Sequence, residues 1–547
     1  MTKLYDLQEN WDLIIIGGGI TGAGILRESI RMGLRVLLVE QKDFAWGTSS
    51  RSSKLVHGGL RYLKEGKFLL TKAAVEEREN LLHDAPGLVE PLDFLVPVYK
   101  GHGPGKWVLE TGLSIYDLIA KKRQHKYFAT DALSEMAPHI EQNGLTGAFR
   151  FLDAQVDDAR LVLRLINESI ALGAVALNYT RAAEINRNAN GEVVGAVIED
   201  TETQEKRKLS AKAVINATGV WAERLHPSPK AKLHLRPLRG SHLVFPKSVI
   251  PIKQALSFVH PVDKRAIFII PWENVVLVGT TDVDHKEDIS HEPYMTAEEG
   301  LYMIEALKFL CPSLNISLND CISSYAGIRP VLSRGKLEPS KESREHVVWV
   351  NKGLVTITGG KLTTFRRLAH DALNAAKPYL PPVQFPEPDE AIFSQVPADP
   401  PVMDCGLSKE TWRRLYGRYG MSAEKLVRAA SPKDLEQIPG TLTLWAEIPF
   451  TAQHEHVRHL DDLLLRRVRV GMLTTKGAKV HLKRIKKMCK PVLPWSRKQW
   501  KKEITNYLVL WNRVYALPAE IFEKQALRPY NWFEKLIKPM RNLKAKS

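Results

Sequence analysis

Residues 13–16 form a short apolar run that opens directly into Gly17-x-Gly19-x-x-Gly22. The run reads as a buried strand, 23–32 as a helix stopped by Gly33, and 34–39 as a second buried strand ending on Glu40. Farther along, apolar points recur at helical spacing over 64–84 (Leu69, Ala73, Leu81, Leu82) and over 161–172. Most of 91–143 is less regular. Residues 175–179, 182–187 and 193–200 read as strands, with a hairpin around Asn188-Ala-Asn-Gly191, and 213–217 as another buried strand. The stretch 236–284 is strand-rich and carries Pro and charged turns, which suggests a second sheet. A helix over 296–310, strands over 323–329, 346–350 and 354–358, and a helix from Thr363 or Thr364 to Pro378 follow. Proline and acidic residues mark 379–401 as a linker, and beyond it 409–419, 423–430 and 452–470 read as helices.

The opening strand–helix–strand carries candidate chemistry. Gly17 allows a tight turn, Gly19 lets backbone N–H groups approach a pyrophosphate, and Gly22 lets helix and strand pack closely. Glu40 is placed to bind ribose hydroxyls and to repel a 2′-phosphate. Together these predict an adenine dinucleotide, its diphosphate on the positive end of the helix. After Glu40 the chain runs through small and hydroxylic residues, among them Thr48, Ser49 and Ser53, which suit an extended anionic cofactor. The strand ending on Ala217-Thr-Gly219 lets backbone pass close to the same molecule. The late return at Gly359-Gly360-Lys361-Leu362-Thr363-Thr364 opens a helix whose N-terminus would stabilise negative charge on a reduced flavin. A third returning element argues for FAD rather than NAD.

Length, charge and cysteines set limits. A chain of 547 residues suggests roughly three domains at ~150 residues each. Its four cysteines show no CxxC spacing, so a reducing, cytoplasmic setting is expected. The first ten residues lack the apolar core of a signal peptide. The longest uncharged run falls well short of the ~20 residues needed to span a bilayer. The net charge of +17 is concentrated: residues 474–547 hold 19 Lys+Arg against 4 Asp+Glu. With Trp495, Trp500 and Trp511 interleaved, that stretch reads as a basic amphipathic tail for an anionic membrane surface, with nucleic acid not expected. The histidines at 454, 456 and 459 fail the H-E-x-x-H spacing, and no metal is expected.

Several motifs, in order, resemble the FAD-dependent (aerobic, quinone-linked) glycerol-3-phosphate dehydrogenase family. They are Gly47-Thr-Ser-Ser-Arg-Ser-Ser-Lys-Leu-Val-His-Gly-Gly-Leu-Arg-Tyr62, Ile215-Asn-Ala-Thr-Gly219, Arg239-Gly-Ser-His242 and Gly279-Thr-Thr-Asp282. Tyr325-Ala-Gly-Ile-Arg-Pro330, the Gly359 to Thr364 run and Asp461-Asp-Leu-Leu-Leu-Arg-Arg-Val-Arg-Val-Gly471 complete the set. The resemblance implies an α/β two-dinucleotide-binding-domain flavoprotein with a Rossmann-like FAD domain, an antiparallel β cap and a C-terminal α-helical domain. The expected divisions are 1–90, 145–235 and 340–380 for the FAD domain, 91–144 and 236–339 for the cap, 400–473 for the helical domain, and 474–547 for the tail. The implied activity is oxidation of sn-glycerol 3-phosphate to dihydroxyacetone phosphate by hydride transfer from C2 to FAD, electrons passing to membrane quinone. The implied location is cytoplasmic, peripheral to the inner face of the membrane, and a homodimer stays open.

The residue chemistry agrees with that expectation. A phosphate monoester calls for about two cations or forked donors, and Arg61 and Arg329 are the candidates, with Tyr62 adding a hydroxyl. A base titrating near neutrality is expected to be histidine. His57 and His242 both lie in the motifs, and the sequence does not choose between them. Lys361 would stabilise the developing alkoxide or the flavin's negative charge. Cofactor contacts are expected from Gly17, Gly19, Gly22, Glu40, Thr48, Ser49, Ser53, Ala217, Gly219, Gly360, Lys361, Leu362 and Thr363. Competing readings are an oxidase of the same substrate using oxygen, an amino-acid or amine oxidoreductase on the same fold, and a membrane- or nucleic-acid-binding module without flavin.

Overall fold

The computed structural model describes residues 4–64, 66–225, 234–333, 345–387, 390–397 and 405–527. β1 (Asn10–Ile16) leads through α1 (Ile20–Arg31) into β2 (Val36–Val39). Next come β3 (Leu55–Val56), α2 (Leu60–Lys64), α3 (Phe68–Asp84) and β4 (Val89–Tyr99). α4 (Lys106–Ala120), β5 (Lys126–Phe128), α5 (Thr130–Met136) and β6 (Leu145–Val156) follow. α6 (Asp158–Ala171) precedes β7 (Val175–Leu177), β8 (Thr180–Arg187), β9 (Val193–Asp200) and β10 (Lys206–Asn216). After α7 (Ala222–Leu225) come β11 (His234–Pro246), β12 (Ala255–Val259), β13 (Ala266–Trp272), β14 (Val275–Gly279) and β15 (Val283–Asp284). α8 (Ala297–Leu310), β16 (Ser323–Ser333), β17 (His346–Asn351), β18 (Leu354–Gly359) and α9 (Phe365–Ala376) end this part.

The first sheet runs β17-β18-β10-β1-β2-β7, with β9 and β8 added as an antiparallel ribbon on β10. β18, β10, β1, β2 and β7 are mutually parallel. Both faces are covered, which is why β1 is an unbroken apolar run rather than an alternating one. Leu13 and Ile15 pack with α1, α6 and α9, whereas Ile14 and Ile16 join Leu209, Val214 and the β8–β9 ribbon. This is the expected Rossmann-like layer.

The second sheet runs β15-β11-β14-β13-β12-β4-β6-β3, with β16 on β11 and β5 on β6. It is antiparallel except where β12 lies parallel to β4. Two expectations change here. β6 belongs to this cap sheet, pairing along β4 from Val89–Val156 to Tyr99–Leu145, so the boundary expected at residue 145 moves to the end of β6. The region 91–143 is also regular, holding most of β4, all of α4 and β5, and α5. Its period is masked because β4 carries Pro91 and Pro97, and because α4 exposes Trp107, Val108 and Leu118 on its outer side.

The C-terminal region contains α10 (Lys409–Tyr419), α11 (Ser422–Ala429), α12 (Glu447–His454), α13 (Val470–Leu473), α14 (Leu482–Cys489), α15 (Arg497–Val514) and α16 (Glu520–Leu527). The single helix expected over 452–470 is broken. His456 and Arg469 have positive φ, and Asp462–Arg467 winds as a π-helix between them. The break lets Arg466, Arg467 and Arg469 reach acids on the FAD domain rather than solvent.

The largest correction concerns 474–547. Residues 474–527 are not an appended tail. Leu482, Ile485, Trp500, Tyr507, Trp511 and Val514 share one core with Leu463–Leu465 and with Tyr325 and Leu277 of the cap sheet. Trp511 donates its indole N–H to the Gly471 carbonyl at 2.7 Å, and the backbone N–H of Ser324 donates to the Tyr515 carbonyl at 2.7 Å. Ile521 fills a notch at Gly300 of α8. Of the tryptophans expected at a lipid interface, Trp500 and Trp511 are therefore core residues and Trp495 packs half-buried against them, while most of the Lys and Arg between them remain on the outer face. The part of the expected tail beyond residue 527 lies outside the described residues.

Candidate active site

The dinucleotide turn sorts its glycines by task. A Cβ on Gly17 would meet the Ala217 carbonyl oxygen at 2.6 Å, and one on Gly22 the Gly17 carbonyl oxygen at 1.8 Å. These two glycines let strand and helix close on each other. Gly19 meets only Ser49 Oγ, at 3.1 Å, so its bare face is turned to open space. That space is a cavity of ≈ 2380 Å³ lined by Gly17, Gly19, Glu40, Thr48, Ser49, Ser53, Ala217, Gly219 and Gly360–Thr363.

Glu40 sits on the cavity wall, its carboxylate accepting from the backbone N–H of Gly18 at 2.7 Å and of Lys42 at 2.8 Å. Burial raises its pKa, against the pull of those two N–H groups. Ser49 Oγ accepts from Ile20 N at 2.9 Å, placing a hydroxyl at the uncapped N-terminus of α1. Thr48 instead donates to the Ile328 carbonyl at 2.5 Å and ties the loop to β16. Trp221, also on the cavity wall, holds a buried indole N–H with no hydrogen-bond partner. A glycine turn, a helix N-terminus, a ribose-height carboxylate and an unpaired donor on one elongated cavity are the donor set an adenine dinucleotide requires.

The expected N-cap at Thr363 or Thr364 resolves at Thr364, though without a side-chain cap bond. The Thr363 hydroxyl accepts from the His57 backbone N–H at 3.2 Å, joining the β18–α9 turn to the His57 segment. His57, Tyr62, Arg329 and Lys361 also line the cavity. Lys361 Nζ lies 3.8 Å from the centroid of the Tyr62 ring. Gly59 beneath it has φ +80°, and a Cβ there would stand 2.5 Å from the Tyr62 ring. Arg329 donates to the Thr281 carbonyl at 3.2 Å, to Asp282 Oδ1 at 3.1 Å and to Thr280 Oγ1 at 3.0 Å, which fixes the plane of its guanidinium.

The two histidines separate. His57 lines the cavity, whereas His242 is fully buried behind Ser53, with Nε2 2.9 Å from Ser53 Oγ and its ring stacked on Tyr325 at 4.6 Å. Burial, followed by Arg329 and Lys54, holds the His242 pKa well below an ordinary imidazole's, so its ring is neutral. The backbone of Arg61 lies in α2 beside Tyr62, and its side chain lies outside the described residues.

Sequence reasoning missed what stands behind His57. Asp153, buried on β6, is bonded to Gly58 N–H, to Arg78 of α3 and to Tyr116 of α4. Only an acid in an apolar strand, Phe151-Leu-Asp153, signalled it. Also missed was the role of Asp43, just after Glu40. It is buried against Arg466 and Arg467, with Arg467 Nη2 2.8 Å from Oδ1. Burial pushes this carboxyl up, but the two guanidinium groups overcome that and hold it at about 2. Arg469 adds bonds to Asp157 at 3.1 Å and to the Ser50 carbonyl at 3.1 Å, and an ion pair with Asp158. The C-terminal motif thus clamps the cofactor loop from behind.

Comparison with known proteins places the chain among FAD-dependent oxidoreductases. A family model described as "FAD dependent oxidoreductase" matches residues 12–366, and one described as "C-terminal domain of alpha-glycerophosphate oxidase" matches 356–500. The aerobic glycerol-3-phosphate dehydrogenase of Bacillus subtilis (strain 168) is 39% identical over 376 residues, 68% of this chain and 67% of that protein. Its namesake from Staphylococcus aureus (strain USA300) is 34% identical over 490 residues, 84% of this chain and 86% of that one. The solved glycerol-3-phosphate dehydrogenase from Bacillus halodurans, complexed with FAD, superposes with a TM-score of 0.70 at 26% identity, covering 92% of this chain and 95% of that one. The L-alpha-glycerophosphate oxidase from Mycoplasma pneumoniae, with FAD bound, shares the fold at a TM-score of 0.56 and 16% identity, over 71% of this chain and all of that one.

Proposed function

The chain belongs to the FAD-dependent glycerol-3-phosphate dehydrogenase family, and on that premise we propose that it oxidises sn-glycerol 3-phosphate to dihydroxyacetone phosphate and passes the electrons to a membrane quinone. The observation that supports this reading is that His57, Tyr62, Arg329 and Lys361 line the same dinucleotide-sized cavity as the glycine turn, with Lys361 against the Tyr62 ring. Gly17, Gly19, Glu40, Ser49 and the Gly360–Thr363 turn would hold FAD, which when bound supplies the acceptor for the hydride leaving C2.

The residues around it divide the remaining work. Arg329, its plane fixed by Asp282 and Thr280, presents a forked cation to the phosphate, with Arg61 as the second cation and the Tyr62 hydroxyl beside it. His57 accepts the C2 hydroxyl proton. His242 is a poor second candidate, because its ring is sealed behind Ser53 and burial lowers its pKa so far that it is a weak base. Lys361 places positive charge where the alkoxide develops. The basic outer face of 474–527 and the absence, among the described residues, of any helix long and apolar enough to cross a membrane support a protein that lies peripherally on the inner membrane face.

Anaerobic addition of glycerol 3-phosphate to the yellow holoenzyme should bleach its flavin band, and reoxidation should follow added quinone. Bleaching by an amino acid and not by glycerol 3-phosphate would overturn the substrate. The C-terminal match to an alpha-glycerophosphate oxidase domain favours oxygen as the alternative acceptor. Rapid oxygen uptake without quinone would select it.

A further inference from the structure

We propose that this protein seats on the bilayer through α4 and the first turn of α3, so that the mouth of its cavity opens into lipid. The proposal deepens the quinone reading by naming the surface through which an apolar acceptor arrives. Helix α4 buries Leu113, Tyr116 and Ala120 on its inner side, as any amphipathic helix would. Its outer side is the anomaly: Trp107 is 80% exposed, Val108 67% and Leu118 78%, at spacings that put them on one flank with Thr111 and Ile115. The beginning of α3, which packs on α4, adds Phe68 at 53% and Leu69 at 83%. Five large apolar side chains in so small an area exceed the scattered exposure normal for a protein surface.

The charges around this patch fit anionic headgroups. Lys106 stands at the first turn of α4, and Lys121 and Arg123 are exposed just past its end. The acids of the helix are turned away: Asp117 is buried against His125, 2.7 Å from its Nδ1, and Glu110 approaches His125 Nε2 at 3.1 Å. An apolar helix flank with cations at both ends and a tryptophan at the edge is the composition of an interfacial helix drawn to an anionic surface. A second copy of the chain would bring the same cations to the same place and would cover the cavity mouth. The path inward is apolar. Trp107 and Val108 line the cavity together with Phe68, Leu109, Leu60 and Leu63, and the same cavity reaches His57. This places the apolar lipid contact on α3 and α4 rather than on the tryptophans of 474–527, of which Trp500 and Trp511 are buried and Trp495 is partly buried.

Flotation of the full-length holoenzyme on vesicles of 30% phosphatidylglycerol in phosphatidylcholine tests the seat. The double variant Leu69→Gln/Leu118→Gln alters neither cavity nor core. It should lose at least tenfold in vesicle affinity while keeping wild-type turnover with a water-soluble dye acceptor. Brominated lipid should quench part of the tryptophan fluorescence of the wild type, and Trp107→Phe should abolish that quenching. Unchanged flotation of the double variant, or quenching that survives in Trp107→Phe, would overturn the proposal. So would a change in sedimenting mass of the double variant, which would assign the patch to a second copy. Because binding is read without turnover, a protein that floats as expected but fails to oxidise glycerol 3-phosphate refutes the proposed reaction and leaves the seat standing.

Discussion

The Asp153 carboxylate accepts a hydrogen bond from the backbone N–H of Gly58 at 3.1 Å, immediately after His57. The same oxygen takes Arg78 Nη1 at 3.0 Å and Tyr116 OH at 3.3 Å. Burial raises the Asp153 pKa, and Arg78 opposes it. Three donors on one buried oxygen fix the turn that presents His57 to the cavity. Asp153→Asn keeps the shape but leaves Arg78 only its ion pair with Glu79, and should cost about 1–3 kcal/mol of stability. Tyr116→Phe keeps the ion pair. It should fold normally and lower kcat severalfold with little change in KM, measured with a soluble dye acceptor.

Arg329 is held by Asp282, Thr280 and a carbonyl so that its fork points one way. Arg329→Lys keeps the charge and loses the fork. If it binds the phosphate, about 1.5–3 kcal/mol should be lost, roughly 10- to 150-fold in KM for glycerol 3-phosphate. An unchanged KM would remove Arg329 from the substrate site.

Asp43 is the shared counter-ion of Arg466 and Arg467. Asp43→Asn should destabilise the protein by about 3–5 kcal/mol. Because its neighbours Glu40 and Ser49 line the cavity, the variant should also release FAD at lower temperature than the wild type. Thermal unfolding followed by both circular dichroism and flavin fluorescence separates the two effects.

His459 gives a pH signature. Burial lowers its pKa, but hydrogen bonds to Glu202 and Glu503 overcome that and raise it to about 10. An unfolded imidazole titrates near ~6.5, so the folded state binds the extra proton between those values. The stabilisation is complete below pH ~6.5 and is lost as pH rises through about 10. Partial exposure limits it to about 1–2 kcal/mol. Urea unfolding at pH 6 and pH 9.5 should show the wild type losing more stability than His459→Gln; equal losses would refute the assignment.

The β1–α1–β2 unit was legible because both its faces are buried and its glycines have no substitute. Leu13 to Ile16 could only be a covered parallel strand, and the Gly22 position admits no Cβ. The cap's β4 and β6 were harder to place, since their pairing partners lie 46 to 67 residues apart and Pro91 and Pro97 interrupt the expected alternation. The 474–527 segment misled for a physical reason. Lysines and tryptophans at helical spacing have the same composition whether the tryptophans face lipid or a protein core, and only the partner surface, here Leu463–Leu465 and β16, decides. The cofactor end of the site was readable residue by residue. The choice between His57 and His242 was not, because it depends on which ring Ser53 covers. Arg61 and Arg329 stood alike in the sequence, and of the two only the Arg329 side chain is described.

The clamp on the cofactor loop also sets an order of assembly. Asp43 and its cations are separated by 423 and 424 positions, and Asp158 is separated from Arg469 by 311. At about 5–20 residues per second, a ribosome needs on the order of twenty seconds to more than a minute to cover the longer interval. Throughout that time the growing chain carries the dinucleotide turn complete and its rear support missing. Firm retention of flavin is therefore expected only once the last domain has been synthesised and has closed behind the loop.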